Sequence, residues 1–190
     1  MKEIARLGLI LFLISSIAAA LLGVTYDLTI DQITEQRKIA DEIARKEVFP
    51  DADAFEKFTD EKLAELQEIN PAIADVYFAM QGGNTVGYVL KTKPTGFSGN
   101  IDVVTGISTD GTITGLRIGN HQETPGLGAN ATLPEFYTQY EGLAITTPVG
   151  VSKTVPGDNE ILAISGATIT SRAVTDGVNF INEVYDVLNK

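Results

Sequence analysis

Across 190 residues the chain carries 14 Lys and Arg against 25 Asp and Glu, a formal net charge of -11, with 44% hydrophobic residues and 18 glycines. That length holds one good-sized domain plus an anchor but not two independent catalytic domains, and the acidic balance excludes nucleic acid and disfavours anionic lipid as partners. With no cysteine and a single His121, disulfides, iron–sulfur ligation, thiol nucleophiles and a typical zinc site fall away, so redox work needs a bound organic cofactor.

From Leu7 to Val24 runs LGLILFLISSIAAALLGV, an uncharged and mostly apolar stretch at the lower limit for a helix that crosses the hydrocarbon layer. A secretory signal would use Ala18, Ala19 and Ala20 as its small residues, but the apolar run continues through Leu21, Leu22 and Val24, and an uncleaved anchor fits better. Lys2 and Arg6 precede the run while Asp27 and Asp31 follow it, so the positive-inside bias puts the N-terminus in the cytoplasm and the bulk of the chain outside it.

After the anchor, Ile33, Ile39, Ile43 and Ala44 recur at a spacing close to one helical face, which predicts an amphipathic stalk helix ending before Pro50. FEKFTDEKLAELQEIN, with Phe55, Phe58, Leu63, Leu66 and Ile69, predicts a second helix that stops at Asn70-Pro71. From Val76 to Ile118 the texture changes to VYFAM, TVGYVLKT, IDVVTGIST and TITGLRI, separated by turn residues, which predicts an antiparallel sheet. Asp110-Gly111 marks a hairpin within it. From Ile169 onward Val174, Val178, Ile181, Tyr185 and Leu188 follow at helical steps, the pattern of a helix packed on the sheet. The class is α+β, divided as residues 1–26 for the cytoplasmic N-terminus and anchor, 27–72 for a helical stalk, and 73–190 for a ligand-binding domain.

Two loops carry the candidate chemistry. In His121 to Gly128, HQETPGLG, Pro125 and Gly126 favour a type II turn. The segment reads either as a sharp loop or as a place where Gly126 and Gly128 bring backbone close to a planar ligand, with Leu127 packing on it and Thr124 bonding to it. In Ile164 to Ser171, ISGATITS, Gly166 and Ala167 are small, and Ser165, Thr168, Thr170 and Ser171 supply hydroxyls just before the last helix. That reads either as a hydroxyl-rich cap or as an anion site at the helix's positive end, and periodicity does not separate the two.

The residues themselves carry a resemblance. SGAT at Ser165 to Thr168, continued as ITSRAV, together with ETPGLG at Glu123 to Gly128 and the run GFSGNIDVVTGI, resembles the FMN-binding domain of the G component of the Rnf electron transport complex and its relative, the C component of the sodium-pumping NADH:quinone reductase. The likeness covers nearly the whole chain, and its length is similar to that of the Rnf protein. It implies FMN joined by a phosphoester to Thr168, with Ser165, Gly166, Ala167, Thr170, Glu123, Thr124, Leu127 and Gly128 around the cofactor. Thr124 and Leu127 are expected at the ring system, and Ser165 and Thr170 at the phosphate or its linkage.

The same resemblance implies an electron relay within a membrane complex that passes electrons from reduced ferredoxin towards NAD and exports ions. Its implied partners are the other subunits of that complex, a flavin transferase and the bilayer. Family motifs commonly carry an acidic residue two or three positions before the serine of SGAT. Here Leu162 and Ala163 stand there, with Glu160 further upstream. The rival readings are the equivalent component of the quinone reductase, a membrane-tethered flavin-binding module outside such a complex, and, least favoured, a hydrolase built on His121.

Overall fold

A computed structural model describes residues 2–188, and the chain divides into two units, Met1–Asp41 and Glu42–Lys190. Helix α1 (Lys2–Val48) begins in the first unit and ends in the second, so the apolar run Leu7 to Val24 and the amphipathic helix expected before Pro50 fall within one helix, while the rest of the 27–72 segment holds β1 and α2. In the first unit none of the apolar window is buried by protein, and Leu11 and Phe12 are each 66% exposed. Just beyond it Thr25 and Thr29 donate their hydroxyls to Leu21 O and Thr25 O at 2.8 Å, so these polar side chains are satisfied by their own helix. The helix is long and apolar enough to cross a membrane.

In the second unit a five-stranded antiparallel sheet has the order β1-β2-β3-β4-β5, from β1 (Ala54–Lys57), β2 (Ile73–Gln81), β3 (Asn84–Thr92), β4 (Val103–Ser108) and β5 (Ile113–Ile118). Alternation along each strand gives the sheet two buried faces. One face presents Val76 and Phe78 from β2, Tyr88 and Leu90 from β3, Val103 and Ile107 from β4, and Leu116 from β5. Against them pack α2 (Asp60–Ile69) through Leu66, and α4 (Thr168–Leu188) through Val174, Val178, Ile181 and Val184. The antiparallel sheet, its hairpin at Asp110-Gly111 and the packed last helix stand where the hydrophobic pattern put them.

The other face is closed by the end of α1. Gly106 of β4 and Gly115 of β5 are paired across the ladder, and the Val48 backbone lies over them. A Cβ on Gly115 would stand 2.9 Å from Val48 Cα, and one on Gly106 would stand 2.5 Å from Thr114 Oγ1 and closer still to Val48 O. Only glycine leaves room for that approach. Thr114, beside an irregularity in the β4–β5 register, donates its hydroxyl to Val48 O at 2.6 Å. Val48, Phe49, Ala52, Ala79, Val89 and Val104 form a small second core, while Arg45 lies over the Tyr77 ring at 4.3 Å and Arg117 bonds Glu47 at 2.8 Å.

The expected helix from Phe55 to Ile69 is corrected at its start. Phe55 to Lys57 belong to β1, and α2 begins only after Thr59, whose side chain accepts from Lys62 N at 3.4 Å as N-cap. Phe55 packs on the smaller core and Phe58 on the larger one, so these two aromatic residues serve opposite sheet faces, which one helical stripe could not do. β1 pairs along the edge of β2 and Leu66 is buried in the main core. A short helix α3 (Pro134–Tyr137), flanked by 3-10 turns, and a parallel pair of β6 (Gly150–Ser152) and β7 (Glu160–Leu162) complete the fold, and neither is legible in the sequence pattern.

Gly106→Ala tests the glycine groove. The neighbour that must yield is backbone, so overpacking should cost about 2 kcal/mol. Thermal unfolding of the full chain in detergent, followed by circular dichroism, should show a midpoint lowered by several degrees, at roughly 2–4 °C per kcal/mol for a chain of this size.

Candidate functional site

Both glycine loops fold as the same device. In the first, the Leu127 N–H donates to Thr124 O at 3.1 Å across Pro125 and Gly126, and Gly126 has φ 75°, the type II turn expected of this pair. In the second, the Ala167 N–H donates to Ile164 O at 3.0 Å across Ser165 and Gly166, with Gly166 at φ 76°. The turns meet directly: a Cβ on Gly166 would lie 3.2 Å from Leu127 Cδ2. Ser171 braces the second turn from inside the helix, since its hydroxyl accepts from Ile164 N at 2.9 Å and donates to Ala167 O at 3.0 Å.

Glu123 ties three segments together. It is 6% exposed, and its carboxylate accepts the Thr170 hydroxyl at 2.5 Å and the Ser98 N–H at 2.9 Å. Its own N–H donates to His121 Nδ1 at 3.2 Å. Gly128 is the small residue that admits this arrangement, because a Cβ there would fall 2.6 Å from Thr170 Oγ1 and nearer still to the Glu123 carboxylate. Hydrogen bonds to a carboxylate are charge-assisted and stronger than neutral ones, so this tie holds its segments together through more than packing. At the base of the β3–β4 loop Lys91 and Asp102 form an ion pair at 3.1 Å with both side chains largely buried.

The sheet holds α4 close to these loops. Gly177, midway along α4, faces Thr92 and Pro94 at the end of β3, and its carbonyl accepts the Thr92 hydroxyl at 3.0 Å. Tyr140, fully buried, shares a 2.8 Å hydrogen bond with Thr175, and burial pushes its phenol well above the ordinary range. The first turn of α4 therefore opens on a fixed place.

That place is a cleft of about 320 Å³ lined by Phe97, Glu123, Thr124, Leu127 and Gly128 on one side and by Gly166 to Thr170 on the other. Thr168 is the first residue of α4 and half-buried on the wall. The amides of Thr168, Ile169 and Thr170 lie in the opening turn, where helix geometry gives N–H groups no intrahelical acceptor. Of the nine residues expected around a cofactor, eight line this one cleft: Glu123, Thr124, Leu127, Gly128, Gly166, Ala167, Thr168 and Thr170. Ser165 is exposed on the turn and is not part of the lining. Thr170 is 1% exposed with its hydroxyl proton committed to Glu123, so its contribution runs through that carboxylate.

Sequence reasoning missed Phe97 and Ile169, which are 68% and 56% exposed on the cleft. Neither belongs to a periodic pattern. Phe97 had one signal, an aromatic residue between Gly96 and Gly99 in a turn-rich segment. Glu160, the nearest acidic residue before SGAT, accepts from Gly157 N at 2.8 Å.

Comparison with known proteins places these features in context. A model of the FMN-binding domain matches residues 96–183, and a model of the RnfG N-terminal region matches residues 1–48. The chain is 43% identical to the G component of the Na(+)-translocating ferredoxin:NAD(+) oxidoreductase complex of Acetobacterium woodii, over 100% of this chain and 95% of that protein. It is 38% identical to the G component of the ion-translocating oxidoreductase complex of Methanosarcina acetivorans, over 94% and 92%. Among solved structures it is similar to the C component of the Na(+)-translocating NADH-quinone reductase of Parabacteroides distasonis, with TM-score 0.53 and 28% identity over 61% of this chain and 63% of that one.

The Glu123 tie makes a direct prediction. Glu123→Ala leaves the Thr170 hydroxyl and the Ser98 amide without their acceptor and should cost ~3 kcal/mol. Glu123→Gln keeps one acceptor but turns an NH₂ towards the other donor, so it should fall between wild type and alanine. Thermal unfolding of the three proteins should rank them in that order.

Proposed function

Because the chain belongs to the RnfG family of the Rnf complex, we propose that it holds one FMN through a phosphoester on Thr168 and relays electrons on the extracytoplasmic side of a membrane. At the coarser level it is a membrane-anchored flavoprotein subunit of an ion-translocating ferredoxin:NAD oxidoreductase complex, with other subunits of that complex as its partners. The match of residues 1–48 to the RnfG N-terminal region favours this complex over the NADH:quinone reductase.

The observation that carries the attachment is the position of Thr168. Its hydroxyl belongs to the residue that opens α4 on the cleft wall, beside the small residues Gly166 and Ala167. The residues present fit the cofactor. Phe97, Leu127 and Ile169 give an apolar wall for a planar ring, and the first turn of α4 gives amides and a positive dipole end for a phosphate. The volume of about 320 Å³ falls at the low end of small-ligand sites, roughly 300–1,000 Å³. A covalent tether suits so modest an enclosure, because a noncovalent cofactor would be lost by dilution whenever it dissociated.

FMN supplies the one- and two-electron chemistry, and the chain supplies position and environment. Thr124 and Leu127 line the ring side of the cleft, Gly128 lets the Glu123 carboxylate close behind it, and Thr170 receives its place from that carboxylate. Ser165 stands on the exposed turn next to the linkage, where a flavin transferase can reach. No acid–base pair is required of this chain. Lys2 and Arg6 before the apolar run, against Asp27 and Asp31 after it, support a cytoplasmic N-terminus and a flavin domain outside, with α1 in contact with lipid.

Two experiments test this reading. Thr168→Ala, produced in the native host with its flavin transferase, should lose all flavin fluorescence in a denaturing gel, and a fluorescent band would contradict the attachment. The absence of native cysteine makes the topology test clean. Asp158→Cys should react with a membrane-impermeant maleimide in intact cells, whereas Glu3→Cys should react only after lysis. The reverse pattern would overturn the orientation.

A further inference from the structure

We propose that Phe97 is an aromatic wall of the cofactor site, packing its ring against the isoalloxazine of a flavin tethered at Thr168. This deepens the reading above and rests on it. Phe97 is 68% exposed, and it is the one phenylalanine among the large exposed hydrophobic side chains in the described part of Glu42–Lys190. A single exposed apolar residue is ordinary. Here three of them, Phe97, Leu127 and Ile169, come from three separate segments and line the same cleft, which is how a site for a flat apolar ligand is built.

The backbone that carries Phe97 is not loose. Gly96 N donates to Gly99 O at 2.7 Å, Thr95 pairs with Asn100, and Ile101 N donates to Pro94 O at 3.0 Å, so residues 94–101 form a small closed hairpin. Ser98, next to Phe97, gives its N–H to Glu123, and the same carboxylate takes the Thr170 hydroxyl two residues beyond Thr168. One buried carboxylate therefore sets where the phenyl stands relative to the attachment residue. A side chain held out in water by a braced loop, beside a cleft, has a reason to be there if a ring covers it. Aromatic contact of this kind prefers offset or edge-on stacking. It shields one face of the flavin from water, which disfavours the charge that the reduced ring acquires.

The chain contains no tryptophan, which supplies the test. Wild type, Phe97→Ala, Phe97→Trp and Val155→Trp are produced in the native host with its transferase and purified in detergent. Val155 is 83% exposed and outside the cleft lining, so Val155→Trp is the control for an indole placed elsewhere. Flavin retained after acid precipitation reports attachment independently of ring contact. With flavin content equalised, an indole stacked on the isoalloxazine should quench flavin emission strongly in Phe97→Trp and leave it near wild type in Val155→Trp. Phe97→Ala should keep its covalent flavin, lower the fluorescence anisotropy of the flavin and raise its midpoint potential. Equal emission from the two tryptophan variants, or unchanged anisotropy and potential in Phe97→Ala, would overturn the role of Phe97 while attachment stands. If wild type retains no flavin after precipitation, the tether itself fails and this proposal falls with it.

Discussion

The Glu123 carboxylate, held at 6% exposure between the Thr170 hydroxyl and the Ser98 amide, is the contact on which the cleft depends. It joins three stretches far apart in sequence: the β3–β4 loop, the turn after β5 and the opening of α4. Burying an ionised carboxylate is costly unless its lone pairs are met. Meeting them with one donor from each of two different segments converts that cost into a geometric constraint, since either segment moving away strands the charge. The glycine at position 128 is part of the same constraint, because any side chain there would occupy the space of the bond.

Behind the cleft, the sheet acts as a rigid plate with a separate task for each face. The face under α4 is filled by branched and aromatic residues, and Gly177 lets the helix settle against Thr92 and Pro94, fixing where its first turn emerges. The other face is pared down at Gly106 and Gly115 so that the end of α1 can lie on it backbone to backbone. A site built at a helix start needs that start to be immobile, and packing along the whole helix supplies this more effectively than contacts in the loop. The two glycine turns then need only be short and specific, as their matching hydrogen bonds make them.

Much of this was legible in the sequence for identifiable reasons. The four strands from Val76 to Ile118 are short apolar and β-branched runs set off by turn residues, and the helix after Ile169 buries one regular stripe, and both textures can be read along the chain. Thr168 and its neighbours stood out through the SGAT and ETPGLG motifs, and eight of the nine expected residues do share one cleft. What stayed hidden depends on long-range pairing. The segment Phe55 to Lys57 is a strand because β2 offers an edge and because Phe55 and Phe58 serve different cores, facts absent from the local pattern. Phe97 is exposed and aperiodic, so only its place across from Leu127 and Ile169 gives it meaning. The glycines within β4 and β5 are likewise explained by a residue far away in the chain, Val48.

The central claim is that a hydroxyl at the opening of α4 carries the cofactor, and mass spectrometry of the natively produced protein tests it most directly. The account predicts an intact mass larger than that of the sequence by one FMN less one water, with the whole increment on the proteolytic peptide that contains Thr168. An intact mass equal to that of the bare chain, or an increment carried by any other peptide, would contradict it.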